Sequence, residues 1–277
     1  LNEGNLLEKK PVFFIVIAAS FFGVSAPLAK LLLKDIDPIV LAGLLYLGAF
    51  AGLAIYSLIF KGQKTLRNRY TSLEKRDLPW LIGAIIAGGI IAPISMMLGL
   101  TITTGFATSL LLNLEGVATV FIAVLFFKEN AGKRLWIALL SMTIAGIFLA
   151  WDPSNGKFNI GGSLLIILAA VCWGIDNNLT RKISDKNPVQ ISMLKGLIAG
   201  AVSLSITFAL GNKVSFSVNI LYALLLGALS YGLSLVFFVR ALSELGAARA
   251  GVFYSFGPFI GALLSIAIFS RDFPYQL

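Results

Sequence analysis

The sequence predicts an all-α fold: a polytopic membrane helix bundle made of two inverted five-helix repeats, with the tenth helix absent from this chain. Three observations carry that expectation. Of the 277 residues, 58% are hydrophobic and only 13% are charged, roughly half the charged share of a soluble domain. The apolar residues gather into nine runs, each near the roughly 17 to 25 residues that a helix needs to cross hydrocarbon. Residues 12–33 and 161–182 are weak copies of one another. Ala18-Ala19-Ser20-Phe21-Phe22-Gly23-Val24 is answered by Ala169-Ala170-Val171-Cys172-Trp173-Gly174-Ile175 at a constant offset of 151.

Each run has a turn signal at its edge. The first, 12–33, follows Lys9-Lys10 as a signal peptide would, but it is too long, lacks a small-residue cleavage site and is followed by further spans. Asp37-Pro38 precedes the second, 39–60. Asp77-Leu78-Pro79 opens the third, 79–100, and Thr103-Thr104-Gly105 the fourth, 104–127. The fifth, 135–151, stops at Asp152-Pro153, the expected boundary between a first repeat (1–152) and a second (153–277). The sixth is 161–180. Asn187-Pro188 leads into the seventh, 189–210, and the eighth, 219–239, is parted by Gly246 from the ninth, 248–269. Backbone groups in lipid must pair within their own segment, so each run is read as a helix. Pro27, Pro93 and Pro258 are expected to kink or hinge their helices or to pack them. Gly48 with Gly52, Gly196 with Gly200, and Gly257 with Gly261 have the spacing that lets helices approach closely.

Basic residues assign the sides. The loops on the side of the N-terminus hold 16 Lys and Arg, and the opposite side holds four. Such a skew predicts a cytoplasmic N-terminus in a multi-pass protein of the plasma membrane. It also accounts for the formal charge of +9 without a nucleic-acid partner. The first and sixth helices are five spans apart and so cross in opposite directions, which makes the duplication an inverted one, the mark of a transporter. Leu98-Gly99-Leu100, Gly105 and Gly116 are answered by Arg240-Ala241-Leu242, Gly246 and Gly257, an offset of 141. The fifth helix has no partner. The sequence stops after Arg271-Asp272-Phe273-Pro274, so a tenth helix is expected to have been lost.

The chemistry is bounded by what is missing. There is no histidine and a single cysteine, Cys172, which removes the commonest metal ligand and general base and any internal disulfide. No Gly-x-x-x-x-Gly-Lys-Ser/Thr phosphate loop occurs. No metal or cofactor is expected. An ionisable group within a span costs on the order of 3 kcal/mol by insertion scales and faces a cavity or a partner. Glu115 lies near mid-membrane, on one helical face with Thr104, Thr108 and Thr119. It is a substrate- or proton-binding carboxylate, or a structural partner for a neighbouring cation. Trp173, Asp176, Asn177 and Thr180 share a face and form a substrate-contact cluster or a wetted helix end. Lys195, on a face with Ser192 and Ser203, is a counter-charge for Asp176, Glu115 or an anionic substrate, or it snorkels to the surface. Lys30 and Arg181, equivalent by the repeat, are candidate outer and inner gate residues, or interfacial anchors. Asn113 and Asn178 point away from these faces.

Phe22-Gly23-Val24-Ser25-Ala26-Pro27, the run Gly105-Phe106-Ala107-Thr108-Ser109 with Val120-Phe121-Ile122-Ala123 ending in Phe127-Lys128-Glu129, and Trp173-Gly174 resemble the EamA-type family of the drug/metabolite transporter superfamily. The resemblance spans nearly the whole chain. It implies ten helices in two inverted repeats, both termini cytoplasmic, and a central pathway lined by the first, third, fourth, sixth, eighth and ninth helices. Gly116 stands where the family tends to have proline in the fourth helix, whereas Pro258 is present in the ninth. Glu129 ends the first repeat, but Ser270-Arg271-Asp272 ends the second.

The expectation is a secondary transporter for a small metabolite, an amino acid, amine or similar, working by alternating access and proton-coupled through Glu115. Its partners are that substrate and the lipid bilayer, with a homodimer as the candidate assembly. The rivals are a membrane-embedded enzyme acting on a lipid-linked substrate and a non-transporting membrane scaffold. The first is disfavoured by the lack of a recognisable catalytic constellation.

Overall fold

The computed structural model describes residues 9–59, 70–130, 132–150, 160–212, 214 and 217–269. Among them nine helices follow one another: α1 (Pro11–Leu32), α2 (Pro38–Ile59), α3 (Lys75–Ile102), α4 (Gly105–Leu125), α5 (Lys133–Ala150), α6 (Ile160–Lys182), α7 (Pro188–Ala209), α8 (Val218–Leu245) and α9 (Ala247–Ile268). All except α5 are among eight helices long and apolar enough to cross a membrane. α5, with 18 residues, rises about 27 Å at 1.5 Å per residue and covers the fifth expected span except Trp151. Trp151, Asp152-Pro153, Lys157, Lys213, the 61–69 loop, the side chains of Lys9 and Lys10, and everything from Ser270 onward, where a tenth helix would begin, lie outside the described residues.

The caps explain where helices start. Asp37 Oδ1 accepts the amides of Ile39 and Val40 at the head of α2. Asn187 Oδ1 does the same for Val189 and Gln190 at the head of α7. Each caps an amide that has no partner inside the helix, and each precedes a proline whose lack of an N–H costs nothing there.

Five of the nine helices are interrupted near their middle. α1 breaks at Val24, α4 at Leu112 and α9 at Ser255 and Phe256. α3 opens into a π-helical stretch at Ile85–Ile91, and α8 does so at Ala228–Leu233. Pro27, Pro93 and Pro258 each sit just after an interruption, as the expected kinks require: proline cannot donate to the carbonyl four residues back. The breaks in α4 and α8 have no proline.

The interruptions recur. The π stretches begin at Ile85 and Ala228, and the later breaks fall at Leu112 and Ser255, both 143 residues apart. Gly105 is the first residue of α4, whereas Gly246 precedes α9 with φ at 80°. The three-dimensional register is therefore displaced from the sequence offset of 141. Packing repeats as well. α2 lies on α7 and α4 on α9, while α6 packs against α3 and α4 as α1 packs against α8 and α9. This is the pairing that a two-fold axis relating α1–α4 to α6–α9 would produce.

The glycine pairs bring the helices together. An added Cβ on Gly48 would strike the Leu224 carbonyl of α8, one on Gly196 would strike Tyr46 of α2, and one on Gly257 would strike Ala19 of α1. Close approach of this kind supplies dispersion contacts where lipid removes the hydrophobic driving force.

Candidate functional site

The interruptions of α1, α3, α4, α8 and α9 surround one point, and a hollow lies there. It is lined by Phe22 of α1, Tyr46 of α2, Glu115 of α4, Trp173, Asp176 and Asn177 of α6, Ser230, Tyr231 and Ser234 of α8, and Tyr254 of α9, among others, with a volume of about 40 Å³. That is room for about three waters. A second hollow of about 10 Å³ shares Phe22, Glu115, Asn177 and Tyr254 and extends to Thr119, Ser255 and Pro258. Tyr46 places α2 at the cavity, whereas α3 lines neither hollow and reaches the site through the Gly88 carbonyl behind Tyr46 and Trp173.

The two carboxylates at the cavity are held differently. Asp176 is 4% exposed and Lys195 is 1% exposed. The Lys195 ammonium donates to both carboxylate oxygens of Asp176, at 2.5 and 2.7 Å, and to Thr180 Oγ1, which itself donates to Asp176. Lys195 is thus the partner of Asp176 and is not at the surface.

Glu115, 5% exposed, has a different environment. Asn177 Nδ2 donates to its Oε1 at 3.0 Å and also to Thr119 Oγ1. No ion pair between Glu115 and a described cation occurs. The break at Leu112 makes Glu115 a first-turn residue of the half-helix Asn113–Leu125, where the helix dipole favours negative charge.

The π turn of α3 supplies another polar group. A π turn displaces backbone carbonyls from their usual partners. Here the Gly88 carbonyl accepts the Tyr46 hydroxyl at 2.5 Å and the Trp173 indole N–H at 2.9 Å. Gly88 also sits so close to Asp176 that a Cβ would overlap its carboxylate. On the other side, Ser230 and Ser234 of α8 donate to the Phe21 and Ala18 carbonyls of α1. Phe22 stands amid the aromatic rings, 5.2 Å from Trp173, 5.8 Å from Tyr231 and 5.4 Å from Tyr254 between ring centres.

The sequence-expected residues divide accordingly. Glu115, Trp173, Asp176 and Asn177 meet at the main hollow, Thr119 lines the smaller one, and Lys195 acts through Asp176. Thr108 does not join them. Its hydroxyl pairs with Thr103, and Thr104 caps the start of α4. The break at Leu112 divides the single polar face that uninterrupted helical spacing predicted. Asn178 ties α6 to the Thr119 carbonyl of α4. Asn113 donates within its own helix.

Among the described residues, hydrogen bonds and ion pairs join elements at both ends of the bundle. Lys30 donates to the carbonyls of Leu100, Thr101 and Thr103 at the end of α3, where a cation complements the helix dipole. At the same end Asn212 donates to Asp37, and Asn219 to Asp35. At the opposite end the Glu129 carboxylate accepts the amides of Ala247 and Ala248 at the start of α9, and Arg181 lies 3.9 Å from it. Nearby, the Asn187 amide donates to the Thr71 carbonyl, Leu73 donates to Gln190, and buried Lys186 meets Glu74 at 3.3 Å and Asp77 at 3.6 Å. Burial pulls the Lys186 ammonium down, but the bond to Glu74 and the charges of Asp77, Glu74 and Asp185 outweigh it and hold it above its ordinary value. Lys30 and Arg181 therefore make their contacts at opposite ends of the bundle.

Comparison with known proteins agrees with this architecture. A model of the EamA-like transporter family matches twice, over residues 9–151 and 160–275. An uncharacterized transporter of Methanothermobacter thermautotrophicus is 25% identical over 279 aligned residues, covering 94% of this chain and 79% of that protein. The uncharacterized transporter YyaM of Bacillus subtilis is 23% identical over 270, covering 93% and 86%. A solved crystal structure shares the fold, with a TM-score of 0.74 at 15% identity, covering 96% of this chain and 89% of the other.

Proposed function

The chain belongs to the EamA-like transporter family, and on that premise we propose that this membrane transporter moves a small metabolite by alternating access around the Glu115 cavity. The observation that carries the reading is a buried, polar and aromatic hollow between two closures, each joining elements of both halves of the chain. In the cycle, residues 1–152 and 153–277 move against each other. Breaking the contacts of Asp35 with Asn219 and of Asp37 with Asn212 opens one side. Breaking the Glu129, Lys186 and Asn187 contacts opens the other. The interrupted helices supply the bending points, since their freed backbone groups can exchange partners without exposure to lipid.

Glu115 is the coupling group. A carboxylate without an ion partner at mid-membrane must be protonated, hydrated or paired with cargo, so binding and release of a proton can be tied to cargo occupancy. The excess of Lys and Arg on the Glu129 side supports a cytoplasmic N-terminus in the plasma membrane. The test is a stabilisation screen of amino acids, amines and nucleosides, followed by uptake of each hit into proteoliposomes by the wild type and Glu115→Gln. The expected result is saturable uptake that is pH-dependent in the wild type and loses that dependence in the variant. Unchanged rate and pH dependence in Glu115→Gln eliminates the coupling role. Absence of uptake for every stabilising ligand overturns transport through this cavity.

A further inference from the structure

We propose that the cavity selects a small organic cation, a compact ammonium group seated against Glu115 and the surrounding aromatic rings, over zwitterionic or neutral molecules of the same shape. The inference rests on the transport reading and narrows its cargo. Charge balance comes first. Asp176 and Lys195 neutralise one another across 2.5 to 2.7 Å, so neither is free for a ligand. Glu115 remains, 5% exposed and without a described ion partner. The hollow therefore offers one carboxyl group without an ion partner and, among the described residues, no available positive group. An ammonium group completes it, whereas the carboxylate of an amino acid would find no cation.

The wall chemistry points the same way. Phe22, Tyr46, Trp173, Tyr231 and Tyr254 line the space with Glu115. Aromatic faces carry negative electrostatic potential and attract alkylated ammonium groups, most strongly where water is excluded. The side-chain donors of the site are already committed: the Trp173 N–H and the Tyr46 hydroxyl to the Gly88 carbonyl, and Ser230 and Ser234 to α1 carbonyls. These commitments leave few donors for an anion and leave the rings and the carboxylate as recognition surface. With room for about three waters, the hollow must widen to seat such a ligand.

The test is calorimetric titration of the full chain in detergent with choline, with its neutral isostere bearing a quaternary carbon in place of nitrogen, and with glycine betaine as the zwitterion. Choline should bind about tenfold or more tightly than either analogue. Glu115→Gln should remove that preference, and Trp173→Leu should weaken choline binding while keeping its rank. Because discrimination by the wild type is decisive alone, a variant that fails to fold does not rescue the idea. Equal binding of the three ligands, no binding of choline, or an unaltered preference in a folded Glu115→Gln protein overturns the cation site. None of those results bears on transport itself, which stands or falls separately on uptake of another metabolite in the proteoliposome assay.

Discussion

Removing Lys195 alone should be far worse than removing Lys195 and the Asp176 charge together. At an effective dielectric near 20, opposite charges about 2.7 Å apart attract by about 6 kcal/mol. Desolvating each ion costs several kcal/mol, so the intact pair is close to break-even against apolar neighbours. Half a pair is different. In Lys195→Met the Asp176 carboxylate keeps only the Thr180 hydroxyl while remaining 4% exposed. The expected cost is about 3 to 5 kcal/mol, a fall in apparent melting temperature on the order of 10 °C. Asp176→Asn alone strands the ammonium of Lys195, which is 1% exposed, and should cost a similar amount. The double variant Asp176→Asn with Lys195→Met leaves no charge behind and should recover most of the loss. The assay is detergent melting of the four proteins read as a double-mutant cycle. Additive losses, with a double variant worse than either single one, would refute the assignment of Lys195 as the counter-charge of Asp176. A single-variant loss under about 1 kcal/mol would refute the burial argument itself.

Gly88→Ala tests the π turn independently. Its methyl group would overlap the Asp176 carboxylate, and relief of such overpacking typically costs about 1 to 3 kcal/mol; wild-type stability and uptake would show that α3 does not approach α6 as described. Lys186 gives a pH prediction. Its folded-state value is raised above the ordinary 10.5, so its contribution is fully present below 10.5 and is lost only as pH rises through the folded-state value. Melting of the wild type relative to Lys186→Met should therefore show a constant difference between about pH 7 and 9 that shrinks above the ordinary lysine range; a difference that shrinks already by pH 8 would contradict the tether to Glu74 and Asp77.

The helices of the described residues and most of their boundaries were legible because hydrophobic runs, Asp-Pro and Asn-Pro caps and glycine spacing act locally. Asp37 and Asn187 perform the cap chemistry that their positions before proline imply. The charged members of the site, Glu115, Asp176 and Lys195, were visible because charge in a span is costly enough to need a reason. Which partner Lys195 takes was left open, since sequence spacing cannot choose between helices. The aromatic wall was missed. Tyr46, Tyr231 and Tyr254 read as ordinary members of apolar runs, although a hydroxyl in a span also requires a partner and could have drawn notice. The Gly88 carbonyl had no sequence signal, because a π turn arises from tertiary contacts. Thr108 pairs with Thr103 on the far side of the break at Leu112, an interruption that helical spacing in the sequence does not reveal.

The π stretch of α3 also limits how this chain can vary in length. It accommodates more residues per turn than an α-helix, so deleting a single residue between Ile85 and Ile91 would let the segment relax into regular helix. Local hydrogen bonding would improve. The flanking halves of α3 would stay near their places, because an α-helix one residue shorter turns and rises about as far as the π stretch it replaces. The loss would fall on the Gly88 carbonyl, which regular helix would draw back into its own hydrogen-bond ladder. The Tyr46 hydroxyl and the Trp173 N–H would then be without the acceptor they share. The count of residues in this stretch, and not only their identity, is therefore part of what the sequence must preserve.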